Sequence, residues 1–186
     1  TAENCAVKYG ITREDSDAYA LRSQQLANKA WTSGIMKDEV TPVEIKSRKG
    51  VTLVEQDDHM RPETTMEVLA KLPTVFKKDG VVTAGNASGI VDGAAALVIA
   101  GEHAVKDKGL KPLGRIVSWA TVGVDPTLMG MGPAPAIRKA LERAGLKLAD
   151  LDLIEINEAF APQYLACEKE LGLDREKVNV NGGAIA

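Results

Sequence analysis

Residues 151–161 read LDLIEINEAFA, so that an apolar, strand-like run passes directly into the polar pair Asn157-Glu158 and then into a helix. In open α/β sheets, binding and chemistry occur at the carboxyl ends of the strands. An uncharged amide followed by a carboxylate at such a point predicts a functional site. From the residues alone, an Asn in this position is more often the N-cap of the following helix, and that alternative stays open for Asn157.

Strand and helix patterns alternate along the second half of the chain, and several of the apolar runs are nearly continuous. Such runs are typical of strands that are buried on both faces of a parallel sheet. The sequence therefore predicts an α/β fold. Strands are expected over 93–100, 113–122, 151–156 and 178–181, and helices over 102–108, 135–144 and 162–171.

The first half is more irregular and resembles an insertion or cap on the sheet. Its clearest local signal is Thr12-Arg13-Glu14-Asp15, which predicts a capping box at the start of a long helix. Gly34 is a plausible end for that helix. The remaining patterns predict helices over 2–9 and 66–72 and a β-hairpin over 43–54.

Composition excludes several function classes. The formal net charge is −3 and aromatic residues make up 4% of the chain, which disfavours both a cationic nucleic-acid surface and a base-stacking platform. No apolar run approaches the length of a membrane span. Cys5 and Cys167 form no CxxC pair, so we expect a reducing compartment, no bound metal, and a packing role for both cysteines.

Two loops of small residues precede apolar segments. Residues 84–89 read AGNASG, which matches no nucleotide-binding motif. The loop is either a tight turn or a place where a ligand approaches the backbone closely, with Ser88 as a polar contact. Residues 129–136 read MGMGPAPA and predict a loop that leads into a helix. Neither His59 nor His103 has the sequence surroundings of a catalytic base.

The chain resembles the thiolase family over essentially its whole length. Within the family, the resemblance is nearest to the mitochondrial 3-ketoacyl-CoA type, notably at Arg61-Pro62 and in the string NEAFAPQY over 157–164. The other matching strings lie at 1–4, 82–96, 117–119, 123–126, 129–136 and 178–186.

The resemblance implies a thiolase-like core, in which a mixed sheet is covered by helices, together with an inserted α+β loop domain. This α/β architecture would be incomplete in the present chain. The expected division places most of the loop domain at 1–90, the last strand and helix of the N-terminal core domain at 91–111, and the first part of the C-terminal core domain at 112–186.

The resemblance also implies roles for individual residues. Asn157 would hold a water against a developing oxyanion, and Glu158 would support it. Contacts to coenzyme A or the acyl group would come from five further residues: Arg61 at the adenine end, Ala84 and Ser88 along the pantetheine arm, Phe160 in the channel wall and Met129 in the acyl pocket.

The implied reaction is the cleavage of a 3-ketoacyl-CoA by coenzyme A, with coenzyme A as a substrate and no other cofactor. The family's nucleophilic Cys and its His, which follows Asn-Gly-Gly-Ala-Ile-Ala, match no position among these 186 residues, so the segment alone is expected to be inactive.

Two alternatives stay open: a biosynthetic acetoacetyl-CoA thiolase, and a non-catalytic module that binds coenzyme A or a partner. The family further implies a homodimer or homotetramer and a mitochondrial location.

Overall fold

The computed structural model describes all 186 residues, from Thr1 to Ala186. Most of the regular structure is helical, and a single two-stranded antiparallel sheet is present. The elements are α1 (Ala2–Tyr9), α2 (Arg13–Ser33), β1 (Val43–Ser47), β2 (Gly50–Val54), α3 (Met66–Ala70), α4 (Glu102–Asp107), α5 (Pro133–Ala144) and α6 (Ala161–Leu171), with 3₁₀ turns at Ile35–Asp38, Pro126–Met131, Leu148–Asp150 and Arg175–Lys177.

Helix α2 begins and ends where its local sequence predicts. The Thr12 hydroxyl accepts a hydrogen bond from Asp15 N–H, and the Asp15 carboxylate accepts one from Thr12 N–H, which completes the predicted capping box. These two bonds satisfy N–H groups that have no partner within the helix. At the other end, Gly34 takes a left-handed conformation with φ 83°.

The core forms where α1, α2 and α6 pack together. At its centre, the rings of Tyr19 on α2 and Tyr164 on α6 stack with their centroids 4.1 Å apart. Both side chains are fully buried. Aromatic pairs of this kind add roughly 0.5–1.5 kcal/mol beyond the area that they bury. The long helix α2 is therefore fixed against the helix that follows Asn157-Glu158.

Helix α2 buries a face that is largely polar, which its apolar pattern did not predict. Ser16, Asp17, Ser23 and Gln24 are buried beside Tyr19. Buried polar groups need hydrogen-bond partners. Ser16 donates to Thr12 C=O at the start of the helix, and the partners of the other three lie in the segments around Asn86, Glu158 and Ile185. This face of α2 therefore positions several loops at once.

Four predicted strands do not form in this chain. Residues 93–100, 113–122, 151–156 and 178–181 have no regular secondary structure beyond isolated bridges, one of which pairs Ile154 with Val178 in parallel. A strand is defined by the ladder that pairs its N–H and C=O groups. None of these segments finds a neighbour within the chain that pairs over several residues, so the strand predictions are wrong here.

Because these strands do not form, several large apolar side chains are exposed to solvent. Leu97 and Val98 are 89% and 97% exposed, and Leu113 is fully exposed. The hairpin β1–β2 is exposed along its whole length as well. Folded monomers seldom leave runs of this kind uncovered.

Candidate active site

The backbone before Asn157 is held by one neighbouring stretch of chain. Ile154 N–H donates to Lys177 C=O at 2.9 Å, and Asn179 N–H donates to Ile154 C=O at 3.0 Å. The side-chain amide of Asn179 also binds both backbone groups of Ile156: it accepts from the N–H at 2.9 Å and donates to the C=O at 2.8 Å. Asn179 has φ 47°, a left-handed conformation that Asn adopts more readily than most residues. Sequence analysis missed this role of Asn179.

Asn157 itself is exposed, and its side chain makes no hydrogen bond to the rest of the chain. The N-cap of α6 is Phe160, and no side chain caps that helix. The cap hypothesis for Asn157 is therefore wrong. Its amide stays free to bind water or a ligand at the point where the chain enters α6.

Glu158 lies in the opposite environment, because its carboxylate is fully buried. Oε1 accepts from the Tyr19 hydroxyl at 2.6 Å and from the Asn179 amide at 3.1 Å. Oε2 accepts from the Ser23 hydroxyl at 2.7 Å and from Ile185 N–H at 3.1 Å. Burial and the adjacent carboxylate both raise the pKa of Tyr19, so its hydroxyl remains a donor. No cation compensates the carboxylate, and four hydrogen bonds do so instead.

Two glycines bring the last turn of the chain against this carboxylate. A Cβ at Gly183 would overlap the Glu158 carboxylate. A Cβ at Gly182 would lie 2.7 Å from Ala27 N and 2.8 Å from Ser23 C=O, both backbone atoms of α2. Gly182 also has φ 84°, a conformation that L side chains rarely adopt. The turn thus depends on the absence of side chains at both positions.

Gly182→Ala should therefore lower the stability of the natural full-length protein by about 2–4 kcal/mol, because it combines backbone strain with a clash against an immovable helix. Gly172→Ala is the matched control, since Gly172 also has a left-handed φ, 65°, but faces open space. We expect that control to cost only about 1 kcal/mol. Thermal unfolding of both variants measures the difference, and equal losses would contradict the steric account.

The loop Ala84–Gly89 runs alongside the residues that follow Glu158. Ser88 donates from both its N–H and its hydroxyl to Ala159 C=O, at 3.1 and 3.2 Å. In return, Ala161 N–H donates to Asn86 C=O at 2.8 Å. These bonds place Ser88 next to the Asn157 end of α6, so the structure brings two of the predicted site segments together.

Asn86 fixes this loop to the core. Its side-chain NH₂ donates to Asp17 Oδ1 at 2.8 Å and to Val81 C=O at 2.9 Å, and its Oδ1 accepts from Thr83 N–H at 2.8 Å. Asp17 is in turn paired with Arg13 at 2.7 Å. The Asn within AGNASG is thus a structural residue that was not predicted from the sequence, although a Gly-Asn pair is a recognisable turn signal.

Arg61 and Ala84, two of the predicted contact residues, line one cleft of about 350 Å³. The Arg61 N–H donates to the Gln24 amide oxygen at 2.7 Å, and its guanidinium donates to Asp58 C=O at 2.7 Å. The guanidinium is exposed and forms no ion pair with a carboxylate. The other lining residues are Gln24, His59, Glu63, Thr64, Val68, Leu69, Leu72, Gly85 and Ile185.

Phe160 and Met129 differ in their surroundings. Phe160 is half-buried and packs edge-to-face on Phe76, with ring centroids 5.9 Å apart. It pairs with Ala87 in a single antiparallel bridge, which keeps it beside the Ser88 loop. Met129 is exposed on the 3₁₀ turn Pro126–Met131 and does not line the cleft that holds Arg61.

The two histidines differ in their surroundings. His103 is exposed on α4 and pairs with Asp107 at 2.7 Å, one helical turn away. His59 lines the cleft, and its Nδ1 lies 3.2 Å from Ala186 C=O.

No group of three or more His, Cys, Asp and Glu side chains is arranged to hold a metal ion. None of the helices is both long enough and apolar enough to cross a membrane.

Both cysteines are fully buried packing residues with protonated thiols. Burial raises the pKa of Cys5, and it raises the pKa of Cys167 to about 11. At pH 8, only about 0.1% of a thiol with that pKa is ionised, and the thiolate is the reactive form. Neither cysteine has the environment of a nucleophile.

We therefore expect both thiols to resist iodoacetamide at pH 8 in the native protein and to react at least about ten times faster in urea. Peptide mass spectrometry after timed quenching measures each site separately. Rapid native alkylation of Cys167 that urea does not accelerate would contradict its burial.

Comparison with known proteins matches residues 1–103 to the model of the thiolase N-terminal domain and residues 110–186 to that of the thiolase C-terminal domain. The chain belongs to the thiolase family. All 186 residues of this thiolase chain align with mitochondrial 3-ketoacyl-CoA thiolase from Bos taurus at 60% identity, and with an acetyl-CoA acetyltransferase from Shinella zoogloeoides at 55%. In both alignments the chain covers 47% of the relative.

Solved structures give the same result for the fold. The crystal structure of human mitochondrial 3-ketoacyl-CoA thiolase superposes on the whole chain with a TM-score of 0.97 at 58% identity, and the chain covers 47% of it. The same human protein in complex with CoA gives a TM-score of 0.95 at 57% identity, with the chain covering 46% of it. The predicted family and the α/β thiolase-like fold class are confirmed. This thiolase chain spans about half the length of the relatives that it matches.

Proposed function

We propose that the full-length protein carrying this chain cleaves 3-ketoacyl-CoA with coenzyme A, releasing acetyl-CoA and an acyl-CoA shortened by two carbons. The observation that carries the proposal is the 60% identity over all 186 residues to a 3-ketoacyl-CoA thiolase. The protein is then an acyltransferase of fatty-acid β-oxidation. Coenzyme A is its substrate, and no metal or other cofactor is required.

Asn157 supplies electrostatic stabilisation in this proposal. Its exposed amide, which has no partner within the chain, holds a water against the enolate oxygen of the departing acetyl-CoA. A neutral amide suits the task, because it adds no charge that would need desolvation and its hydrogen bond strengthens as the oxygen becomes anionic. Glu158 supports Asn157 from inside the core.

The residues proposed to contact coenzyme A lie along the cleft and the loop that contains Ser88. Arg61 lies at the adenine end, where its exposed guanidinium, which forms no ion pair within the chain, contacts the phosphate groups of the ligand. Ala84 and Ser88 line the pantetheine arm. Ser88 donates its hydroxyl hydrogen to Ala159, so the oxygen can still accept from a ligand amide. Phe160 forms a wall of the channel, and Met129 lines the acyl pocket in the assembled protein.

The domain division belongs to the same proposal. Residues 1–90 form most of the loop domain, 91–111 the end of the N-terminal core domain, and 112–186 the start of the C-terminal core domain. The full-length protein assembles as a homodimer or homotetramer in mitochondria. Size-exclusion chromatography with light scattering measures the assembly state.

A biosynthetic acetoacetyl-CoA thiolase is the second candidate, because an acetyl-CoA acetyltransferase matches the chain at 55% identity, close to the value for the degradative relative. The two functions differ in chain-length preference. Steady-state assays of the full-length protein with acetoacetyl-CoA and with an eight-carbon 3-ketoacyl-CoA distinguish them. The degradative function requires a higher kcat/KM for the longer substrate, and a strong preference for acetoacetyl-CoA would favour the alternative.

A polypeptide limited to these 186 residues should show no cleavage of either substrate. Its only thiols are buried, and loss of a nucleophile costs many powers of ten in rate. The same assay, run with the double variant Cys5→Ala plus Cys167→Ala as the control, tests this expectation. Turnover that persists in both proteins would contradict it.

A further inference from the structure

The buried Glu158 carboxylate joins three separate parts of the chain. Two of its four donors, Tyr19 and Ser23, lie on α2. A third is the Asn179 amide, and the fourth is the N–H of Ile185 in the last turn. A carboxylate has two oxygens and roughly four lone-pair sites, and here all four are occupied by donors. The side chain is therefore saturated and held in one orientation.

Each donor also has a second connection. Asn179 binds both backbone groups of Ile156, directly before Asn157. The Ser23 hydroxyl accepts from Gly183 N–H at 3.2 Å while it donates to Glu158. Glu158 consequently determines the backbone position on both sides of Asn157 and the position of the last turn.

Gln24 extends the same network to the cleft. Its amide NH₂ donates to Ile185 C=O at 3.0 Å, and its amide oxygen accepts from Arg61 N–H at 2.7 Å. Ile185 is thus held at its N–H by Glu158 and at its C=O by Gln24. Gln24 is nearly fully buried, so water does not compete for these bonds.

We propose that Glu158 and Gln24 are positioning residues that fix Arg61, at the edge of the coenzyme A cleft, relative to the Asn157 amide, with the peptide groups of Ile185 as the link between them. The inference deepens the proposed function and rests on it. Small displacements of a reacting geometry cost large factors in rate. A rigid connection of this kind therefore affects turnover more than it affects coenzyme A binding.

Glu158→Gln is the sharpest test, because it keeps the shape of the side chain while it removes the negative charge and replaces one acceptor oxygen with an NH₂ donor. The new NH₂ group would face donors such as Ser23 and Ile185 N–H. Glu155→Gln is the matched control, since Glu155 is exposed and lies three residues upstream on the same segment. Tyr19→Phe removes one donor while it retains the ring that stacks on Tyr164.

The measurements on the full-length protein are kcat and KM for coenzyme A, the thermal midpoint, and amide hydrogen exchange in peptides that contain 182–186. Glu158→Gln should lower kcat at least about tenfold, leave KM within about twofold, and accelerate exchange at 182–186 at least about tenfold. Tyr19→Phe should change the same quantities in the same direction by less, and Glu155→Gln should change none of them.

A Glu158→Gln protein with a lower thermal midpoint but unchanged kcat and unchanged exchange at 182–186 would overturn the proposal, because the carboxylate would then only stabilise the core. If the wild-type protein cleaves no 3-ketoacyl-CoA, the proposed function fails and the exchange measurement decides the positioning claim by itself. Faster exchange at 182–186 in Glu158→Gln would still support it, and unchanged exchange would reject it. If Glu158→Gln does not fold, Tyr19→Phe provides the same comparison.

Discussion

Asn157→Ala should lower kcat for 3-ketoacyl-CoA cleavage by about 10²–10³-fold in the full-length protein, which is the usual cost of removing one oxyanion donor. The amide is exposed and bonds to nothing within the chain, so its loss leaves the fold intact. KM for coenzyme A and the thermal midpoint should stay close to the wild-type values. Combined rate and unfolding measurements therefore separate a catalytic effect from a structural one.

Two further variants sharpen this test. Asn157→Asp keeps the shape but places a negative charge beside a developing anion, so it should be at least as inactive as Asn157→Ala. Gln25→Ala is the control, because it removes a side-chain amide that is exposed on α2 and makes no hydrogen bond, and it should leave kcat unchanged. An Asn157→Ala protein that keeps full kcat would show that the amide has no part in the reaction.

A polypeptide limited to these 186 residues should associate in solution and should lack a sharp unfolding transition. Residues 90–99 and 113–119 expose Leu97, Val98, Trp119 and several other large apolar side chains. Backbone groups in these runs also lack a β-ladder, and both features promote association between chains. Light scattering after size exclusion, together with calorimetry, measures both properties.

A matched pair of triple variants tests the cause of this association. Replacing Leu97, Val98 and Ile99 with serine should shift the polypeptide toward the monomer, because it removes three of the five large apolar side chains exposed over 90–99. Replacing Ala94, Ala95 and Ala96 with serine alters the same exposed segment but removes little apolar area, so association should persist. A wild-type polypeptide that is a monodisperse monomer with cooperative unfolding would contradict the prediction.

The sequence predicted the helices because their boundaries are set locally. Thr12 and Asp15 cap α2 with their own side chains, and Gly34 and Gly145 end helices in left-handed conformations. These signals act within a few residues, so no distant partner is needed. The β1–β2 hairpin follows for the same reason, since its pairing is between sequence neighbours.

The predictions of strands at 93–100, 113–122, 151–156 and 178–181 were wrong because strand pairing is not local. Residues 93–100 have the apolar composition of a buried strand, but composition cannot provide the ladder partner on which a strand depends. The single parallel bridge between Ile154 and Val178 marks the one place where two of these segments meet. The thiolase match, by contrast, predicted the fold class correctly because it draws on the whole family and not on local pairing.

At the candidate site, the residues predicted from motifs lie mostly at or near the surface, and Glu158 is the one fully buried residue among them. Asn157 and Arg61 were predicted through their motifs, and the structure places both side chains at the surface. Gln24, Asn86 and Asn179 were missed, because polar residues inside an apolar pattern are normally assigned to solvent. They are buried here because they satisfy backbone groups: Asn86 binds those of Thr83 and Val81 in its own loop, whereas Gln24 and Asn179 bind those of segments distant in the sequence. Such non-local bonds leave no periodic pattern in the sequence.

The fate of free coenzyme A is the most direct test of thiolytic cleavage. Isotopically labelled coenzyme A is supplied with an unlabelled eight-carbon 3-ketoacyl-CoA, and the products are resolved by mass spectrometry at early times. In the proposed reaction the acyl group is transferred to free coenzyme A, while acetyl-CoA leaves with the coenzyme A of the substrate. The label should therefore appear in the six-carbon acyl-CoA and be absent from acetyl-CoA. Label in acetyl-CoA, or consumption of the substrate without a labelled six-carbon product, would contradict thiolytic cleavage.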